Sequence, residues 1–502
     1  VVVLLAAATV PVLRAAPRPG RRPELAALRP SARRLVLEAT LVGLALGGVH
    51  LIRSRGLTAA GPDAGGFGAD PLLAAVPLLL GLAAGVATAR LYPYPVRLLA
   101  ELAGLRRALV PALALRRAGR QPAAGRWLLI VLLVTASVAT FSLLVADAID
   151  RAQRLSAWQE VGAPYRVSAP PGLDLGSADV SRAPRVEAAA EAYTDPRATL
   201  GEGGGDRPIL LHAVDVAALA RVNAGSPLAG QLPATLASAP AGAAPAGSAE
   251  RPLPAVASTG AELRTGERIL VTTGGRELAL EVVARRDRLG GLPDAAWLAI
   301  DLGLLRGAHP EEPYRPTTAY LRAHEDALAA LRGWVDAEAP VARLASQAER
   351  YAALRDAPLV AAVGYGFAAA VGICALYAAL AVVAAAVLDA SARARDVASL
   401  RTLGVSGGQV RWLSAVEHAP VLVVSLAAGT ALGAAVALVC LPVLNFDAFT
   451  GGAVPLAIRV DWPRVAVVQG AVLGAAVLAL AAAAWLARRA DLARALRRAD
   501  LE

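Results

Sequence analysis

Five histidines (His50, His212, His309, His324, His418) and two cysteines (Cys374, Cys440) are the side chains best suited to hold a metal or attack a substrate. No HExxH, no CxxC and no Cys/His group at ligand spacing occurs among them, so no metal site is expected. Both cysteines lie within apolar runs and read as small packing residues. His324-Glu325-Asp326 opens a helical stretch, where acidic side chains complement the N-terminal dipole. A GxSxG elbow is absent. Residues 404–409 read GVSGGQ, whose core differs by one letter from LSGGQ, an ATP-contacting stretch of some ATPases. A P-loop ATPase also needs GxxxxGK[ST], with its Lys on the β/γ-phosphates, and this chain contains no Lys. The stretch sits between two apolar runs only about 30 residues apart, too few for an ATPase domain. Gly404, Gly407 and Gly408 therefore read as residues that end one helix and open the next. No catalytic residue, cofactor or metal is expected.

What must position the remaining polar residues is a set of apolar helices. Of 502 residues 56% are hydrophobic, and the mean hydropathy is +0.52, which points to a membrane protein. A span needs about 20 apolar residues without charge. Six stretches qualify, at 35–52, 72–89, 127–146, 357–388, 418–446 and 465–487, and a seventh at 1–13 is partial. Each is read as a helix, because backbone polar groups in lipid must be satisfied internally. Glu38 and Asp147 sit at span edges, and bare span centres argue against an ion-coupled transporter. The chain opens on VVVLLAAATV rather than Met, so it is expected to be the C-terminal part of something longer.

The arginines orient these spans. The linker 14–34 carries seven, 90–126 eight, 390–412 four and the tail after Ala487 five; 53–70 has only Arg53 and Arg55, and 447–463 only Arg459. Alternate loops are basic, which by the positive-inside rule places 148–356 outside the cytoplasm. The net charge of +10 therefore reflects loop distribution, and no nucleic-acid partner is expected. The fold class expected is an α-helical polytopic membrane protein with a large α+β extracytoplasmic domain inserted between spans. In that domain 208–214, 268–273 and 278–284 alternate like strands. The stretches 325–338 and 345–356 read as amphipathic helices, the second leading into the next span. The Pro/Ala/Gly-rich stretch 233–257 reads as a flexible insertion between two lobes. Residues 95–120 suit a cytoplasmic interfacial amphipathic helix, and 357–389 one long transmembrane and stalk helix. GxxxG pairs at Gly81/Gly85, Gly429/Gly433 and Gly470/Gly474 would let helices pack closely.

The stretch 388–418, LDASARARDVASLRTLGVSGGQVRWLSAVEH, places Val397, Leu400 and Leu403 on one helical edge among Arg393, Arg395, Asp396 and Arg401. It resembles the cytoplasmic loop of FtsX-like permeases, the membrane subunits of MacB-type ABC (ATP-binding-cassette) systems. The matching residues are Arg395, Leu400-Arg401-Thr402-Leu403-Gly404 and Glu417; Asp396 stands where the family usually has Glu, and Val405-Ser406 where Ala-Ser is common. The order of parts also matches: one span, a large external domain, then three spans with this loop after the first of them. Residues 127–487 would form one permease unit. The spans between 35 and 90 and the partial span 1–13 then look like the connection to a first unit of a two-unit chain.

The resemblance implies a non-catalytic permease in the bacterial plasma membrane. Its partners would be a cytosolic ABC-type ATPase dimer, membrane lipid and a second permease unit. The loop at 390–412 would receive the movement of the ATPase through the ridge of Leu400 and Leu403, the charges of Arg395, Asp396, Arg401 and Glu417, and the turn at Gly404. Helix 357–388 would pass it to the external domain, for export or for a mechanical task. Two other readings remain at this point: a membrane-anchored extracytoplasmic binding module without an ATPase, and an envelope-directed membrane enzyme, for which no residue set exists.

Overall fold

The computed structural model describes residues 123–176, 178–201, 207–238, 245–324, 326–402, 407–440 and 459–499, with single positions within 36–50 and 83–88. They divide into two compact units, with boundaries at 149/150 and 361/362. The first is helical, and the second is built on a sheet.

The helical unit draws on four elements: α1 (Ala123–Val161), α6 (Pro358–Thr402), α7 (Gly407–Cys440) and α8 (Trp462–Ala499). Among the described residues four helices are long and apolar enough to cross a membrane, at Leu128–Val161, Val360–Ala384, Ala419–Val439 and Trp462–Ala482. Leu128, Leu129 and Leu132 of α1 pack with Ala378 and Val382 of α6, Val421 and Leu422 of α7, and Ala476 of α8. Helices α1, α6 and α8 run past their predicted ends. The span expected at 127–147 continues to Val161, because Ala152, Gln153, Ser156 and Ala157 keep one face buried beyond the last apolar turn. The tail expected from 488 stays helical to Ala499, since ARRADLARALRRA has no Gly or Pro to stop it. The charged stretch at 390–402 is the last part of α6 rather than a separate short helix. The expectations for 1–34 and 95–120 lie outside the described residues, as do most of 35–90 and the end of the span at 441–446.

Among the described residues the sheet unit contains eleven strands, in the order β11-β1-β10-β2-β5-β9-β6-β8-β7-β3-β4, where β2 is Val186–Asp195, β3 Thr199–Leu200, β4 Arg207–Pro208 and β10 Thr318–Ala323. Its centre is mixed: β5 (Leu210–Val214) runs parallel to β9 (Trp297–Asp301), β6 (Leu253–Ser258) runs parallel to β8 (Arg276–Arg286), and β6 and β9 are antiparallel. Period-two alternation sends Leu298 and Ile300 of β9 into one core cluster and Trp297 and Ala299 into another. Both faces of the centre are therefore covered, which is why β9 is buried along its whole length. Strand β7 (Arg268–Thr273) turns into β8 through Gly274 and Gly275, at φ +58° and +78°, as a two-residue hairpin requires. Helices α2 (Val216–Val222) and α3 (Leu302–Ala308) start at Asp215 and Asp301, whose carboxylates accept from Ala218 N and Leu304 N. Two further helices, α4 (Leu328–Glu338) and α5 (Gln347–Arg355), complete the unit.

Two expectations for this unit need correction. The stretch 233–257 is not one flexible insertion: Ala234–Ala237 is a 3₁₀ turn, and 253–257 belongs to the central strand β6, with Leu253, Ala255, Val256 and Ala257 fully buried. Small residues beside the packed β8 and β9 make that strand possible, and the same small residues gave it its low-complexity look. The helix expected at 345–356 starts two residues later, because Arg343–Ser346 pairs with β1 (Tyr165–Ser168) as the edge strand β11.

Candidate functional site

The resemblance residues fall on two helices. Arg395, Asp396, Leu400 and Arg401 lie in the last turns of α6, and Glu417 lies in α7, ten residues after its start at Gly407. Leu403 and Gly404 lie outside the described residues. On the backbone, 396 and 400 are one helical turn apart, and 397 and 400 share an edge.

The helices that carry this segment are joined through α1. A Cβ on Gly429 would stand 2.5 Å from Leu133 O and 2.6 Å from Ala136 Cβ; one on Gly433 would stand 2.4 Å from Ser137 O and 2.8 Å from Thr140 Cβ. Glycine at both positions lets α7 approach the α1 backbone. The pair expected at Gly470 and Gly474 differs: a Cβ there meets nothing within 4 Å, so these two glycines do not pack against a described helix. GxxxG spacing alone does not say which face of a helix has a neighbour.

Sequence reasoning missed the polar contacts of α1. Gln469 Nε2 of α8 donates to Ala136 O at 3.0 Å and to Thr140 Oγ1 at 2.7 Å, beside the Gly433 contact. Thr135 Oγ1 donates to Val131 O at 2.9 Å and to Cys374 O of α6 at 3.3 Å. Such hydrogen bonds hold helices together where lipid gives no hydrophobic drive to association. Near the end of the apolar stretch, Arg464 of α8 pairs with the buried Asp147 and also with Asp461 at 3.2 Å. Gln469 was visible as an amide within an apolar span; nothing in the sequence links Asp147 to a residue 317 positions away.

In the sheet unit the polar groups serve the fold. His212 on β5 is buried, with Nδ1 2.9 Å from Thr194 Oγ1 and Nε2 3.5 Å from Tyr320 Oη. Burial, helped by the Arg166 charge, lowers its pKa to about 4, and burial raises that of Tyr320 to about 12, so both are neutral. A polar cleft of about 440 Å³ lies beside Asp174, Asp195 and Arg315. Asp195 there already accepts from Thr273 Oγ1 and from Arg197 N, and Asp174 accepts from Gly176 N and faces Arg315 at 3.6 Å. Among the described residues no three His, Cys, Asp or Glu side chains gather as metal ligands would.

Residues 368–492, which span most of α6, α7 and most of α8, match the family model of the FtsX-like permease C-terminal domain. No curated protein matches the chain. The extracellular domain of the noncanonic ABC-type transporter YknZ from Gram-positive bacteria is similar over 36% of this chain and 98% of that one, at 12% identity. The TM-score of 0.22 is too low for this likeness to carry an argument.

Proposed function

We infer that this chain, whose residues 368–492 match the FtsX-like permease C-terminal model, is the membrane subunit of an ABC transporter in the bacterial plasma membrane. A separate cytosolic ATPase, acting as a dimer, supplies the energy, and the sheet unit lies outside the cytoplasm. The pairing with a second permease unit, in the same chain or another copy, belongs to the same reading. The observation that carries it is α6: one unbroken helix of 45 residues, about 68 Å long at 1.5 Å per residue, more than twice the roughly 30 Å of hydrocarbon. Its last turns hold Arg395, Asp396, Leu400 and Arg401. A helix without a break passes a push at one end to the other.

An ATPase that contacts this segment differently in its two nucleotide states biases the position of α6, and only such a difference can shift an equilibrium. Leu400 and Leu403 supply the apolar ridge, Arg395, Asp396, Arg401 and Glu417 the charged contacts, and Gly404 the turn into α7. The glycine contact of α7 with α1 and the Gln469 contact of α8 make the helices move together. The output is export or mechanical work on the far side. Purification of the full-length protein from its native membrane, with identification of bound proteins, tests the reading. A stoichiometric ATPase that is lost with Leu400→Asp supports it. If no ATPase is bound, or binding survives Leu400→Asp, the coupling role falls.

A further inference from the structure

Within the sheet unit, the two helical ends of its chain segment, residues 150–161 of α1 and α5, are held by two unlike joints. At the incoming end, the last turns of α1 are locked by backbone. Gly162, at φ +85°, lies so close to the loop 289–292 that a Cβ would stand 2.8 Å from the Gly290 carbonyl and from Gly291 N. Gly291 N donates to Gln159 O at 2.7 Å, and Gly290 N donates to Gln231 Oε1 at 3.0 Å. Arg166 bridges the same parts, donating to Glu160 O at 3.0 Å and to Gly291 O at 2.8 Å, while Asn223 Nδ2 donates to Gly162 O at 3.0 Å. Ala157, Val161 and Ala163 are buried around them.

At the outgoing end, α5 has no buried residue. It is held to α1 by side-chain tips. Tyr351 Oη donates to Asp150, which also accepts from Arg154 at 3.1 Å, and the Arg154 guanidinium stacks over the Tyr351 ring at 5.0 Å. Arg350 pairs with Glu160 at 2.6 Å, and Glu349 with Arg332 of α4 at 2.6 Å, all four of these side chains being more than a third exposed. An exposed pair of this kind shifts an equilibrium by about fivefold at most. Backbone packed against backbone has no cheap alternative arrangement.

We propose that Gly162, Gly290, Gly291 and Arg166 form the fixed joint of the sheet unit, and that Asp150 and Glu160 with Tyr351 and Arg350 form a clip that opens when α6 is displaced. The opening step rests on the coupling reading above; the difference between the joints does not. Movement of α6 would then be taken up within α5, and the sheet would stay with residues 150–161 of α1. The clip is polar because it must re-form in water, and an apolar seam would stay shut.

Hydrogen exchange of the full-length protein, read by mass spectrometry, tests both parts. Without nucleotide, amides of 350–356 should exchange at least tenfold faster than those of 157–163. Asp150→Asn with Tyr351→Phe should raise exchange at 350–356 further and leave 157–163 unchanged; equal exchange at both ends, or a rise at both, would overturn the inference. With the ATPase bound and trapped by an ATP analogue, exchange at 350–356 should rise again. A short bismaleimide link between Asp150→Cys and Tyr351→Cys, in a chain carrying Cys374→Ala and Cys440→Ala, should abolish that second rise. Loss of the ATPase itself would refute the coupling reading alone, because the nucleotide-free asymmetry is measured independently of it. A bound ATPase with no second rise would refute the clip.

Discussion

At the scale of single residues, steric contact and burial decide the outcomes. Gly433→Val puts side-chain carbons where Ser137 O already stands, so the α1–α7 contact must open. Thermal unfolding in detergent should show a loss of about 1–3 kcal/mol, whereas Gly474→Ala, which meets open space, should leave the midpoint within a degree or two. His212 titrates near 6.5 when unfolded and at about 4 in the folded sheet. Between those values the unfolded chain binds a proton that the folded one does not, so stability is full above pH 6.5 and falls as pH drops toward 4. The loss should approach about 3 kcal/mol, at 1.36 kcal/mol per pKa unit. Unfolding monitored by circular dichroism at several pH values should show this slope, and His212→Gln should flatten it. None of these contacts was legible beforehand: His212 looked like one of five scattered histidines, and Gly429 and Gly470 look alike until the neighbouring helix is in place.

At the scale of elements, α6 makes the sharpest prediction. Two alanines inserted after Ala390 keep the helix but turn the 395–401 segment by about 200°, whereas four turn it by about 400°, within 40° of its original face. ATPase capture should be lost with two and largely restored with four; equal capture in both would show that the facing of this segment does not matter. Strand β7 was legible to the residue, because RILVTT is rich in β-branched residues and ends at a Gly-Gly turn. Strand β6 was not, because LPAVAS alternates with residues too small to look like a core. The extension of α1 beyond 147 was missed for a related reason: its buried face there is built of Ala, Gln and Ser, which hydropathy does not mark.

At the scale of the whole molecule, the arginine distribution makes orientation testable. A cysteine placed at Glu277 should react with an impermeant maleimide in intact cells, and one at Arg494 only after permeabilisation; the reverse pattern would invert the topology. The sequence by itself determined that this is a membrane protein with a large sheet-containing insert, that these 502 residues hold no GxxxxGK[ST] motif, and that the segment 388–418 resembles a permease loop. Composition, charge alternation and a local motif are one-dimensional signals, and each of these conclusions needs nothing more. Only the tertiary structure decided which glycines touch a helix, that Gln469 and Arg464 reach α1, and that α5 meets α1 through the polar side chains of Arg350 and Tyr351. Those facts depend on residues hundreds of positions apart being brought within a few ångströms, and no periodicity along the chain encodes that.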